Sequence, residues 1–463
     1  MSNFWDFSNW GGIVLVGVLL GSMLLGNAIK KLTPGLKNSL VPTSVIGGTI
    51  LLIAEEIYHA ITGDDLFNTA LFGGNGTANM EIITYHCLAL GFIAATFKSK
   101  SGKLSKKRSA EIFNTGITTV STYLIQAVLG MSITIIAAKV VKDFFPAAGC
   151  LLPFGYGQGT GQAMNYGNIY ETDYGFVGGK SFGLTIAALG FISAALGGIV
   201  YLNVQKKRGK LVIASAKNEK FSVEDIQREN EIPMQESIDK MTIQVGLVIF
   251  AYIVAYGIMY VLGKLVPGFI SVIYGFNFLF GVLAAVLVKA GMKCFKKIGT
   301  QTKEYVNNFL MTRVSNFFYD LMIVAGIAAI RLDILEHYWG IILILGVFGA
   351  VVTYWYDKRV ARLLFPEYSE EQFLATYGML TGTASTGVIL LREIDGEFVT
   401  PAADNLVYQN FPAIVFGFPL MLLATLAPQK PVLTLIILFG FFVVMNIILF
   451  RSFIFKKRKK KEQ

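Results

Sequence analysis

Long apolar stretches recur along the chain and are separated by short polar connections. Most are close to the length of about 20 residues that a helix needs to cross a hydrocarbon core roughly 30 Å thick. The pattern predicts eleven transmembrane helices. They cover residues 9–29, 40–60, 79–97, 110–142, 176–204, 241–263, 269–291, 307–330, 337–356, 403–427 and 431–455.

Composition supports this prediction. Of the 463 residues 54% are apolar and only 15% are charged, whereas a soluble domain carries roughly 25% charged residues. If this chain were soluble, it would have too few polar residues to cover the surface of a protein of its length. The chain is therefore predicted to be an all-α integral membrane protein.

Positive charge follows the spans in alternation. The formal charge is +10, and the Lys and Arg residues are not interleaved with aromatic residues as nucleic-acid binding would require. Cytoplasmic connections of membrane proteins carry an excess of Lys and Arg, which places the N-terminus outside and the C-terminus in the cytoplasm of an inner (plasma) membrane. The clusters are Lys30, Lys31 and Lys37; Lys98, Lys100, Lys103, Lys106, Lys107 and Arg108; Lys206, Lys207, Arg208 and Lys210; Lys289, Lys293, Lys296 and Lys297; Lys358, Arg359 and Arg362; and Lys456–Lys461.

Two stretches, 146–169 and 372–392, are too rich in Gly, Thr and Ser to be ordinary spans. If either stretch crossed the whole membrane, the basic clusters that follow it would lie on the outer side and not in the cytoplasm. We therefore expect re-entrant loops, the first entering from outside and the second from the cytoplasm. Non-helical backbone at membrane depth is tolerated only beside protein or a water-filled cavity, so two such loops imply a polar cavity near mid-membrane.

Four short motifs recur in the same order at offsets of about 222–234 residues. For example, Glu171-x-Asp173-x-x-Phe176-Val177 returns as Glu393-x-Asp395-x-x-Phe398-Val399. Five spans and one loop in each half make the repeat inverted. The predicted domains are a first repeat over 1–205, a cytoplasmic linker over 206–240, a second inverted repeat over 241–430, and an extra helix with a basic tail over 431–463.

The loops are the predicted substrate site. Inverted repeats place substrate and ion sites on broken helices at their interface. Exposed N–H groups at a half-helix N-terminus suit a carboxylate, and carbonyl or hydroxyl oxygens suit Na⁺. Arg392 suits bidentate carboxylate binding or, equally, a pairing with Glu393 or Asp395. The substrate-binding candidates are Gln158, Gly159, Thr160, Gly161, Thr383, Ala384, Ser385, Thr386 and Arg392, with Gln162 and Asn165 as further polar groups.

Asp320 lies near the middle of a predicted span, where a charge costs about 2.5–3.5 kcal/mol on insertion scales. Together with Ser315 and Asn316 it is a candidate for Na⁺ coordination; a structural hydrogen-bond network is the alternative. His86, its counterpart in the first half, is expected to be an interior histidine, with proton relay as the alternative.

The chain resembles the bacterial sodium:glutamate symporter family over nearly its whole length. The resemblance depends on Pro42 with Gly47-Gly48, the Gly157–Gly161 loop, Val314-Ser315-Asn316, and the Gly382–Gly387 loop with the following Leu-Leu-Arg. It implies two five-helix halves with re-entrant loops, substrate bound between the loop tips, Na⁺ coupling and elevator-like alternating access.

These features predict sodium-coupled symport of glutamate or a related small carboxylate. The alternative is a hydroxycarboxylate or other organic-anion carrier of the same architecture, driven by protons. We expect no enzyme activity, because an HExxH motif and paired aspartates at intramembrane-protease spacing are missing from the sequence. The expected partners are the small-molecule substrate, Na⁺, the lipid bilayer and a second copy in a homodimer, with no nucleic acid and no cofactor besides the coupling ion.

Overall fold

The computed structural model describes residues 5–34, 41–98, 105–208, 231–234, 238–267, 270–297, 303–395 and 399–454. These residues are helical and contain no β-strand, which confirms the all-α membrane class. Most of the predicted linker 206–240 and the basic tail Lys456–Lys461 lie outside the described residues.

Sixteen α-helices occupy the described part of the chain. They are α1 (Phe7–Leu32), α2 (Thr43–Thr62), α3 (Gly76–Phe97), α4 (Lys106–Val140), α5 (Leu151–Tyr174), α6 (Gly179–Lys207), α7 (Lys240–Leu265), α8 (Ile270–Gly275), α9 (Asn277–Lys297), α10 (Asn308–Ala328), α11 (Trp339–Leu364), α12 (Ser369–Thr381), α13 (Ala384–Arg392), α14 (Ala402–Tyr408), α15 (Asn410–Leu426) and α16 (Pro431–Leu449). Short 3₁₀ turns occur at Leu66–Asn68, Ala70–Phe72, Pro146–Cys150, Asp333–Leu335 and Pro366–Tyr368.

Within the described ranges, nine helices are long and apolar enough to cross a membrane, and α14 with α15, bent by 50°, would make a tenth. Ten of the eleven predicted spans therefore coincide with one of these candidates. The eleventh, 307–330, forms α10 but is not among them. Polar residues including Arg313, Asn316 and Asp320 interrupt its apolar sequence.

The chain divides into two compact units, each drawn from both halves of the sequence. The first comprises 1–20, 64–103 and 218–326, and the second comprises 21–63, 104–217 and 327–463. The core of the first unit consists of apolar residues from α3, α7, α9 and α10. They include Leu90, Ile93, Ala94, Phe97, Val248, Ala251, Ala285, Met311 and Val314.

A buried ion pair fixes the start of α7 in the first unit. Lys240 Nζ lies 2.8 Å from Glu231 Oε2, and the two side chains are 1% and 3% exposed. Asn307 donates to the same oxygen at 2.6 Å, and Gln244 donates to the carbonyl of Tyr305 at 2.8 Å. The described end of the linker is thus tied to the segment before α10.

In the second unit, α5 and the 3₁₀ turn before it fold into a helical hairpin, called here the first hairpin (Pro146–Tyr174). Its arms turn at Gly159, where the backbone leaves helical geometry with φ 78°. The arms lie side by side, because the rings of Phe154 and Tyr166 stack with centroids 4.0 Å apart. At the open end Phe145 stacks on Phe176, just beyond the return arm, at 4.7 Å.

Helices α12 and α13 form the second hairpin (Ser369–Arg392), which turns at Gly382 and Thr383. Its arms approach closely: a Cβ added to Gly378 on the entering arm would lie 2.8 Å from the Cα of Gly387 on the return arm. Both glycine-rich stretches are thus interrupted helices. The first hairpin continues to Tyr174, beyond the predicted end at 169, and the second begins at Ser369, before the predicted start at 372.

Candidate functional site: two hairpin tips on one helix

Helix α6 carries a line of glycines against which both hairpins pack. Gly183, Gly190 and Gly197 are spaced by seven residues, which is about two helical turns and so returns to the same face. A Cβ at Gly183 would meet the carbonyl oxygen of Ala163 on the first hairpin, and a Cβ at Gly197 would meet the ring of Tyr377 on the second. Small residues let these helices approach backbone to backbone.

The two hairpins reach this face from opposite ends of α6. Gly167 on the first hairpin touches Gly179, close to the N-terminus of α6. Phe373 on the second hairpin packs against Tyr201, close to its C-terminus, with ring centroids 4.8 Å apart. The turns of the two hairpins, at Gly159 and at Gly382–Thr383, are called here the first and second tips. The tips therefore point towards each other along the middle of α6.

Gly190 is the point at which the tips converge. A Cβ placed there would collide with the carbonyl oxygen of Thr381 from the second hairpin, and would lie 3.2 Å and 3.3 Å from atoms of Tyr156 on the first. One residue on one helix thus touches both tips, and it has no room for a side chain.

Tyrosine hydroxyls form hydrogen bonds between the first hairpin and the neighbouring helices. Tyr123 on α4 donates its hydroxyl to the carbonyl of Gly157 at 3.0 Å. The hydroxyl of Tyr156 donates to the carbonyl of Gly346 on α11 at 2.5 Å. Tyrosines 166, 170 and 174, spaced by one turn on the return arm, donate to the carbonyls of residues 421, 424 and 425 on α15 at 2.7–3.2 Å.

The second tip is held from the next turn of α4. Gln126, one turn beyond Tyr123, donates its Nε2 to the carbonyl of Leu380 at 2.9 Å. Thr383 then adopts an extended conformation and precedes the first turn of α13. Its hydroxyl lies 3.4 Å from that of Thr386.

Most predicted substrate-binding residues gather at these tips. Gln158 is half-buried, Gly159, Thr160 and Gly161 are buried, and Thr383, Ala384 and Thr386 lie at the second turn. The side chain of Ser385 lies outside the described part of the structure. Arg392 is exposed at the far end of α13, about 12 Å along the helix from Ala384 at 1.5 Å per residue.

Gln162 is a polar residue of the first tip whose side-chain amide is not fully hydrogen-bonded. It is fully buried, and its Nε2 has no hydrogen-bond partner among the residues that the structure describes. Its Oε1 accepts from Asn165 at 3.5 Å. A buried amide donor without a partner costs about 1–3 kcal/mol, so a ligand that accepts its hydrogen bond would recover that energy.

The residues predicted to coordinate Na⁺ belong to the first unit, whereas both hairpins belong to the second. Ser315 is buried and donates to the carbonyl of Gly91 at 3.0 Å. Asn316 is half-buried and Asp320 is exposed. His86 bonds to the hydroxyl of Tyr252 at 2.7 Å.

Sequence reasoning missed a polar ladder between α4 and α11 in the second unit. Thr122 donates to Asp357 at 2.7 Å, and one turn away Gln126 donates to Thr353 at 2.7 Å. All four side chains are fully buried. The predicted span ended at residue 356, before the Asp-Lys-Arg sequence, but α11 continues to Leu364 and draws Asp357 into the interior. Apolar residues at 360, 361, 363 and 364 were the available signal.

A scan against protein-family models found no match to this chain, and a search of curated proteins found none.

Proposed function

We propose that this chain is a secondary active transporter which couples Na⁺ to the uptake of glutamate or a related small carboxylate. The observation that supports the proposal is the convergence of two interrupted helical hairpins on Gly190, from opposite ends of α6. Paired broken helices of opposite direction are typical of the substrate sites of inverted-repeat transporters. On this proposal the hairpins are re-entrant loops, and each belongs to one of two inverted halves.

Each turn brings together the end of one half-helix and the start of another. The return arms begin at Thr160 and Ala384, and the N-terminal end of a helix favours an anion. Gln162 adds an amide donor without a partner. The entering arms end in carbonyl groups, which favour a cation. The tips therefore offer both a carboxylate and a coupling ion a complementary partner.

The second unit contains both hairpins together with α4, α6 and α11, which hold their tips. On the proposed elevator-like mechanism this unit is the moving body. Because its internal contacts determine the tips, it would carry a bound substrate without rearranging the site.

Uptake of labelled glutamate into proteoliposomes tests the proposal. We expect accumulation under an inward Na⁺ gradient and little uptake when choline replaces Na⁺. A panel of hydroxycarboxylates, with Na⁺ and proton gradients imposed separately, distinguishes the alternative carrier. Glutamate uptake that is indifferent to the Na⁺ gradient would refute the coupling.

Two variants test the tip itself. Gln162→Leu removes the unpartnered amide and Thr160→Val removes a buried hydroxyl, so each should lower kcat/KM for uptake about tenfold or more, equivalent to about 1.4 kcal/mol. Thr172→Val is the matched control, because Thr172 lies on the same arm but is exposed. If all three variants transport like the wild type, the first tip does not bind substrate.

Cysteine labelling tests the re-entrant topology. In a Cys294→Ser background, only the buried Cys87 and Cys150 remain. Cysteines at Lys142 and Asp173 flank the first hairpin and should react with an impermeant reagent from the same side. If they react from opposite sides, the first hairpin crosses the membrane.

A further inference from the structure

Asp357 is a carboxylate that the proposed substrate site does not use. It is fully buried on α11. One oxygen accepts from Thr122, while its Oδ2 has no hydrogen-bond partner within the described ranges. No positively charged side chain among the described residues balances it. An ionised carboxylate in such a place is stable only when it is paired with a cation or protonated.

A second unpartnered oxygen lies one rung away. Gln126 uses both amide N–H groups, one to Thr353 and one to the carbonyl of Leu380, and its Oε1 is left without a partner. Thr353 donates its own proton to the carbonyl of Gly349 at 2.7 Å. An unpartnered carboxylate oxygen and an unpartnered amide oxygen therefore lie on adjacent rungs of one buried ladder, and no positively charged side chain among the described residues balances them.

We propose that Asp357, Gln126, Thr122 and Thr353 form a Na⁺ site between α4 and α11. Carboxylate, carbonyl and hydroxyl oxygens are the ligands that hard cations prefer. Two of these oxygens, Asp357 Oδ2 and Gln126 Oε1, have no hydrogen-bond partner in the described part of the chain. Na⁺ would satisfy both, whereas a proton on Asp357 would satisfy only the carboxylate directly.

The ladder is joined to the second hairpin by one side chain. Gln126 Nε2 holds the carbonyl of Leu380, and the next carbonyl, that of Thr381, rests against Gly190. A cation on Oε1 fixes the Gln126 amide and, through it, the position of the tip. This link supplies a route for ion coupling. Its role in transport rests on the proposed function, whereas the binding of a cation to the ladder does not depend on that function.

Thermal unfolding of the purified protein, without any carboxylate substrate, measures the site. Na⁺ is titrated against choline at constant ionic strength. We expect the wild-type midpoint to rise and saturate with Na⁺, because a ligand that binds only the folded state stabilises it. Asp357→Asn keeps the shape but removes the charge, and should weaken the apparent Na⁺ affinity at least tenfold.

The matched control is Asp333→Asn, an equivalent change at a side chain that is 42% exposed; it should respond as the wild type does. Thr353→Val serves if Asp357→Asn does not fold, and should also weaken the Na⁺ response. Asp320→Asn tests the competing location and should leave it intact.

A wild-type Na⁺ response in both Asp357→Asn and Thr353→Val would overturn the site. So would loss of the response in Asp320→Asn, or a wild-type midpoint that follows pH and ignores Na⁺. If Na⁺ binding through Asp357 holds but glutamate is not transported, the proposed function alone fails. If uptake is Na⁺-driven and Asp357→Asn keeps the same Na⁺ dependence, the site alone fails.

Discussion

Gly190→Ala is the most direct perturbation of the paired tips. A single methyl group at this position would collide with the carbonyl oxygen of Thr381 and would lie 3.2 Å from a ring carbon of Tyr156. Neither neighbour can move freely. The Thr381 carbonyl belongs to the backbone of the second tip, and the hydroxyl of Tyr156 is bonded to Gly346.

Two opposing terms set the magnitude. Alanine favours a helix interior over glycine by about 1 kcal/mol. Inserting an extra carbon into a packed interior costs about 1–3 kcal/mol, and the backbone contact places this site at the upper end. We therefore expect a net loss of about 1–2 kcal/mol of stability. Transport should suffer more, because a misplacement of about 1 Å costs up to about 100-fold in rate.

The assay compares initial uptake rates in proteoliposomes with thermal unfolding of the same protein in detergent. Gly257→Ala on α7 is the control, since a Cβ there meets nothing within 4 Å. We expect Gly190→Ala to lower uptake by about 10- to 100-fold and Gly257→Ala to leave it unchanged. Wild-type uptake by a well-folded Gly190→Ala protein would show that the contact between the tips is unimportant.

Three further changes have defined outcomes. Tyr123→Phe leaves a buried carbonyl of the first tip unpaired, so the protein should lose about 1–3 kcal/mol in thermal unfolding and transport more slowly; no change in either would exclude the hydroxyl as a support. Lys240→Met strands the buried carboxylate of Glu231 and should cost about 3–5 kcal/mol, with recovery when Glu231→Leu is added; failure of the double variant to recover would show that the loss is steric. Asp395→Ala removes the acceptor of two backbone N–H groups at 2.8 and 2.9 Å, and should make the base of the second hairpin more sensitive to limited proteolysis than the wild type.

The hairpins were predictable because their composition departs from that of their neighbours. Four glycines between Gly155 and Gly161, and alternating small hydroxyl residues after Thr381, break an apolar pattern that continues elsewhere. The turn at Gly159 has a positive φ that L-residues rarely adopt. The composition of the sequence is therefore enough to locate both interruptions.

Other features depend on contacts that no local pattern records. Gly190 lies in an apolar run with other glycines, and only the hairpins packed on it distinguish it from them. Asp357 precedes Lys358 and Arg359 and so resembles a solvated connection. Its burial follows from how far α11 continues, which the apolar residues at 360, 361, 363 and 364 indicate, and from which helix covers it, which hydropathy does not report.

The glycine at position 190 also has a mechanical consequence. Both tips contact Gly190, so a single turn of α6 helps to fix the distance between them. On the proposed elevator-like mechanism, a displacement of α6 together with α4 and α11 would carry both tips by the same amount. A substrate bound between the tips would then be exposed to one side of the membrane or the other while the distance between the tips stayed the same.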